Sequence, residues 1–159
     1  MIVNQLIILK ENLIALQKAN QWFCHSFEIC NEIENFNELS IIQLDNLENL
    51  TARYARIVDI LFNKVFRSIA NVEMAKVKSL LDVLLFLQKK GLIQSLDNVR
   101  LLKEIRNDIV HEYFVENIIQ LFENVKESSD ELIKLVEKTN ETSMHMRSQQ
   151  GYEYIMGVP

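Results

Sequence analysis

The groups most suited to chemistry lie within one short run, Arg106-Asn107-Asp108-Ile109-Val110-His111-Glu112-Tyr113. An arginine offers a planar cationic fork for an anion, and a histidine exchanges protons near neutral pH. Asparagine adds a donor and an acceptor, and tyrosine a hydroxyl. On a helix turning about 100° per residue from Arg106, the apolar Leu102, Ile105, Ile109, Val110 and Tyr113 fall between roughly 260° and 40°. Arg106 sits inside that stripe. Asn107, Asp108 and His111 lie on the polar side, which leaves Arg106 and His111 about 140° apart. An arginine in an apolar stripe needs an anionic or hydrogen-bonding partner, because an unpaired buried charge is costly. That partner is either an internal carboxylate, for instance Asp59 or Asp82, or a bound anion. His111 also reads as a solvent-facing histidine, and Tyr113 as an aromatic at the edge of the core. Helix geometry leaves these alternatives open.

Other polar groups give weaker signals. Cys24, His25 and Cys30 match no closed zinc set and lack a fourth ligand, so ordinary buried thiols are expected and no metal. Two cysteines about 120° apart on a helix are unsuited to a mutual disulfide, which points to a reduced, cytoplasmic protein. Arg53, Arg56, Lys64 and Arg67 recur along one segment, either as a solvated or salt-bridged face or as a track for a polyanion.

The elements that must position these groups are helices. The 159 residues hold 3 Gly and 1 Pro, and of these only Gly91 precedes residue 151. Turn-rich sandwiches and barrels consume Gly and Pro, and neither a P-loop nor G-x-G-x-x-G can be written with one glycine. With 48% hydrophobic and 25% charged residues there is material for a core. A net charge of −5 argues against broad coating of nucleic acid, so any such contact must be local. The start, MIVNQLIILKENL, lacks the features of a signal peptide. No apolar run approaches the roughly 20 residues of a membrane span.

Periodicity predicts five helices. The first covers 3–33, with Leu6, Leu9, Leu13, Leu16, Phe23, Phe27 and Ile33 inward, and 35–39 connects it onward. The second covers about 44–71, capped by Asp45 with Glu48. Its inward stripe runs from Leu47 and Leu50 through Tyr54, Ile57 and Leu61 to Val65. The third, about 74–90, is apolar over most of its circumference and is expected at the bundle centre. Lys89, Lys90 and Gly91 end it. The fourth runs from Ser95 or Asp97 to 113, and the fifth over 116–139. The expected architecture is all-α, an antiparallel four- to five-helix up-and-down bundle. One domain covers 1–140, and a tail over 141–159, without periodicity, is expected to be mobile.

The pattern R-x4-H-x-Y, with Asn directly after the Arg, resembles the motif of the HEPN superfamily. More narrowly, it resembles the HepT-like toxins encoded beside minimal nucleotidyltransferases (MNT). LTARYARIVDILFNKVFRSI (50–69), LLDVLLFLQKKGLI (80–93) and LLKEIRNDIVHEYF (101–114) resemble successive helices of such proteins, and the likeness covers about 44–138. The first helix fits that architecture without carrying a motif.

This resemblance implies a homodimer whose motif helices face each other around a two-fold axis. It implies a metal-independent endoribonuclease without cofactor, the toxin of a type VII-like HEPN/MNT pair. Arg106 and His111 would be catalytic, with Asn107 orienting the phosphate or His111. Tyr113 would receive AMP from the cognate nucleotidyltransferase. The partners implied are RNA, that transferase and a second copy, with no membrane. The competing readings are a non-catalytic, substrate-binding partner subunit of a nucleotidyltransferase, and a helical scaffold in which the motif is coincidental.

Overall fold

Helix α1 (Ile2–Asn31) turns Leu6, Leu9, Leu13, Leu16 and Phe23 into the core, as their spacing requires. The structure is a computed structural model that describes residues 2–111 and 118–149. After α1 the chain crosses 32–40 into α2 (Ile41–Ile60), which continues through a π-helical turn (Leu61–Val65) into α3 (Phe66–Val72). Then follow α4 (Leu80–Lys89), α5 (Leu96–His111) and α6 (Ile118–Gln149). The described residues thus form five rods, α2 and α3 being one continuous rod.

Contacts between distant residues set the directions. Trp22 meets Arg53 while Asn12 meets Ser68, so α1 runs antiparallel to the α2–α3 rod. Helix α6 is antiparallel to α5, since Asn98 reaches Glu131 while Ile105 and Asp108 share a groove with Asn124. It also packs on α1 and α2. Phe23 and Tyr54 stack edge to face, ring centroids 6.0 Å apart, and the Ser128 hydroxyl donates to the Tyr54 hydroxyl at 3.1 Å.

Three boundaries differ from expectation. Helix α2 begins earlier than the Asp45 cap would place it. Ser40 Oγ accepts from the Gln43 amide at 3.2 Å, and the Gln43 side chain accepts from the Ser40 amide at 2.9 Å. The first two helical residues, Ile41 and Ile42, are exposed, so the apolar rhythm begins only after the helix has started. Helix α4 is shorter than expected because Ser79 and Asp82 form a second capping box. Asp82 accepts from the amides of Ser79 (2.8 Å) and Lys78 (3.0 Å), and these bonds hold its carboxyl below the usual range. Asp82 is therefore spent on a helix end.

Helix α4 also lies at the periphery. It packs mainly on α3, and Leu81 and Leu85 are 44% and 46% exposed. The centre is instead built by α1, α2 and α6. The end of α4 does follow the sequence: Gly91 takes φ +79°, the left-handed conformation glycine tolerates.

Helix α6 continues to Gln149, ten residues past its expected end. Its buried stripe is Val125, Ser129, Leu132, Val136, Thr139 and Ser143. The three hydroxyls donate to carbonyls one turn back, Ser129 to Val125 at 2.6 Å, Thr139 to Leu135 at 2.7 Å and Ser143 to Thr139 at 2.7 Å. Small polar side chains satisfied in this way occupy core positions that a hydropathy pattern does not reveal.

The π turn has a cause in the sequence. Tyr54, Ile57, Val58, Leu61, Phe62, Val65, Phe66, Ile69 and Ala70 are all buried and repeat every four residues. An α-helix would rotate such a set by about 40° per repeat. A wider turn midway returns the stripe to the core.

Burial of Tyr54 makes a prediction. Desolvation pushes its hydroxyl pKa well above the usual tyrosine value, offset in part by the Ser128 hydrogen bond. The unfolded chain then loses this proton first, at about pH 10, and the folded chain later. The stabilisation is complete below pH 10 and declines as pH rises toward the folded value. Burial pushes the Cys24 and Cys30 thiols up too, giving the same sign. The urea midpoint should fall between pH 9 and 11. Tyr54→Phe should flatten that fall by up to about 1.4 kcal/mol per pH unit.

Candidate functional site

Helix α5 carries Arg106 against the α2 face, where Asp59 meets it. Arg106 Nη2 donates to Asp59 Oδ2 at 3.0 Å, and Nε lies 2.8 Å from Oδ1. Nη1 donates to Asn107 Oδ1 at 3.3 Å. The arginine in the apolar stripe thus finds its anion within the chain. The arginine and aspartate side chains are 27% and 41% exposed, so solvent screens the pair and its worth to stability is at most about 1 kcal/mol. A guanidinium has five donors, and these contacts leave one N–H on each terminal nitrogen.

The pair closes one side of a groove of about 590 Å³. Ala52 and Ala55 line it with little bulk, and Arg56 and Lys64 add two cations. Asn63 completes the polar lining and donates weakly to Asp59 at 3.5 Å. Residues 52, 56, 60 and 64, and with them 55, 59 and 63, recur every four residues, which sets them along one face of the rod. Two cations beside a fixed arginine fork suit a phosphate or another oxyanion.

The structure brings Arg106, Asn107 and Asp59 together and leaves His111 apart. His111 is exposed, ends α5, and does not line the groove. It stands about 7.5 Å along the axis and about 140° around it from Arg106. Tyr113 lies outside the described residues. Val110, expected in the apolar stripe, is exposed, while Leu102 and Ile105 are buried.

Of the basic residues along the second rod, Arg53 does not join this groove. It stacks over Trp22, 5.4 Å from the ring centroid, and donates to the Trp22 carbonyl and the Ser26 hydroxyl. Asn63 and the small Ala52 and Ala55 were not among the residues singled out by sequence. The signal that could have found them is their four-residue spacing with Arg56 and Asp59.

Cys24 is partly buried and Cys30 buried, both as free thiols. Among the described residues, no group of three or more His, Cys, Asp or Glu could hold a metal ion. No described helix is long and apolar enough to cross a membrane. Comparison of the chain with protein-family models, curated proteins and solved structures finds no match.

Proposed function

We propose that this chain is a metal-independent endoribonuclease of the HEPN type, the toxin of a HEPN/MNT pair, acting as a homodimer. The observation that carries the reading is Arg106, first residue of R-x4-H-x-Y, held as an oriented fork beside Arg56 and Lys64 at an open groove. A two-fold pairing that apposes the α5 helices would let one cleft collect Arg106 and His111 from both copies.

In that cleft Arg106 holds the phosphoryl oxygens and neutralises charge that grows in the transition state. His111 takes the proton of the ribose 2′-hydroxyl as that oxygen attacks phosphorus. The bond from phosphorus to the 5′-oxygen breaks, and the leaving oxygen takes a proton from the second His111. The products are a 2′,3′-cyclic phosphate and a free 5′-hydroxyl. The test is incubation of the purified chain with RNA in a chelator. Cleavage with cyclic phosphate ends supports the reading.

Tyr113 is the proposed point of control. AMP attached there by the cognate nucleotidyltransferase would add bulk and negative charge to the motif and so oppose an RNA phosphate. Incubation with that transferase and ATP should add AMP masses at Tyr113, and their absence would remove this step.

The position of His111 outside the groove favours one second reading. In it the chain is a non-catalytic partner of a nucleotidyltransferase, and the Arg106 groove binds a nucleotide phosphate without cleaving. Intact RNA in the chelator experiment, with a stable transferase complex, would select it.

A further inference from the structure

Helix α1 is apolar on the side that faces away from the core as well as on the side that faces it. Counting about 100° per residue from Ile8, the buried Leu6, Leu9, Leu13, Leu16 and Phe23 fall between about 60° and 160°. Val3, Ile7, Ile8, Ile14, Trp22 and Ile29, each at least 40% exposed, fall between about 0° and −140°. A helix that is apolar all round is ordinarily covered all round. Here α2, α3 and α6 cover only one side of it.

The exposed side is ordered. Arg53 stacks over the Trp22 ring and donates to the Trp22 carbonyl at 2.8 Å and the Ser26 hydroxyl at 2.6 Å, which fixes the indole in place. Tryptophan and arginine are enriched among the residues that anchor protein interfaces. Glu11 and Lys18 lie at about −60° and −80°, near the midline of the face. Both are exposed, and neither joins an ion pair among the described residues.

This face is complementary to itself. With a second copy turned antiparallel about a two-fold axis near residues 14 and 15, Glu11 stands opposite Lys18 of the second copy, and Lys18 opposite its Glu11. Trp22 falls between Ile7 and Ile8 of the second copy, and Ile14 and Ala15 meet their own counterparts beside the axis. A parallel pairing sets Glu11 against Glu11 and Lys18 against Lys18, which is repulsive. From Val3 to Ile29 the face is about 40 Å long and about 13 Å wide, about 500 Å² on each copy. Two such faces reach the roughly 1,000 Å² that a specific interface requires.

We propose that two copies of this chain pair antiparallel through the outward face of α1, with Trp22 as the apolar anchor and the Glu11–Lys18 pairs setting the register. Helices α1 and α5 each pack on both α2 and α6, which puts this face across the bundle from α5. The inference is therefore independent of the ribonuclease reading and of the α5 pairing in it, since it uses neither Arg106 nor His111. With both pairings the assembly is tetrameric or larger.

Sedimentation equilibrium of the full chain should give at least twice the 18.7 kDa of one copy. Trp22 is the only tryptophan, so its emission should shift to the red as dilution separates the copies. Ile8→Asp should weaken the association at least about tenfold. Glu11→Lys and Lys18→Glu should each weaken it, because each sets like charges opposite, and the two together should restore it. Ile41→Asp with Ile42→Asp, at exposed isoleucines on another helix, should change nothing. Circular dichroism should show all variants helical.

The mass of one copy at every concentration would overturn the proposal. So would association that persists undiminished in both Ile8→Asp and Glu11→Lys, since another surface would then carry it. An equal loss in the Ile41/Ile42 variant would replace it with general apolar adhesion. A combined Glu11/Lys18 variant no stronger than the single changes would exclude the antiparallel register, and the proposal with it.

Discussion

On the proposed ribonuclease reading, Arg106→Ala and His111→Ala should each lower RNA cleavage by about 10²–10⁴-fold and abolish growth arrest when the chain is expressed alone. The two losses have different origins. Without Arg106 the phosphoryl charge has no oriented fork, and Arg106→Lys should recover only part of the rate, because a point charge cannot donate in parallel to two oxygens. On the same reading His111 is the group that accepts the 2′-hydroxyl proton, so its removal leaves the attack without its base. Neither variant should unfold. The Arg106–Asp59 pair is partly solvated, so its removal costs at most about 1 kcal/mol. His111 is exposed, and its change should stay within about 0.5 kcal/mol. Growth curves, in vitro cleavage and urea unfolding on the same three proteins separate chemistry from folding. Undiminished cleavage by both variants would refute the ribonuclease assignment. Equal growth of all three strains, with no cleavage by the wild type, would move the assignment to the nucleotidyltransferase partner.

Phe23→Ala should destabilise the chain by about 3–5 kcal/mol. Phe23 is fully buried in the core and stacks against Tyr54, so truncation leaves a cavity where α1 meets α2. A domain of this size has a total stability of about 5–15 kcal/mol, so this one change removes a large share. The neighbouring Trp22→Ala provides the contrast. Trp22 is 61% exposed, and its stacking with Arg53 is a surface cation–π contact worth about 0.5–1 kcal/mol. Urea midpoints at unchanged slope measure both. A Phe23→Ala cost below about 1 kcal/mol, no larger than that of Trp22→Ala, would mean that α1 is not seated as described.

The two grooves flanking α5 divide its chemistry. The α2 side gathers Arg56, Lys64 and Arg106 around Asp59, and the α6 side is lined by Glu104, Asp108, Glu127 and Glu131. An overall charge of −5 therefore does not describe either surface. Local charge decides which ligand each groove admits, because exposed charges more than about 10 Å apart are largely screened at moderate salt.

Much of the fold was legible in the chain itself. The near absence of Gly and Pro requires long helices, and the stripe from Leu6 to Phe23 determines which side of α1 is buried. Lys89, Lys90 and Gly91 mark a helix end through charge and left-handed tolerance. Asp59 could be named beforehand as one carboxylate able to satisfy Arg106. Other features could not be read this way. Asp45–Glu48 and Ser40–Gln43 are both capping patterns, and local rules do not choose between them. The leucines of α4 show that most of its surface is apolar, but not that Leu81 and Leu85 face outward. Ser129, Thr139 and Ser143 interrupt a hydropathy pattern while filling core positions, because their hydroxyls are satisfied by the helix's own carbonyls.

What tertiary structure alone decided was which distant groups meet. Arg106 and Asp59 are 47 residues apart, and only the packing of α5 on α2 pairs them. Arg106 and His111 are five residues apart, yet the turn of the helix sends them to different sides. Sequence spacing determines where a side chain lies around its own helix, and packing determines what stands opposite.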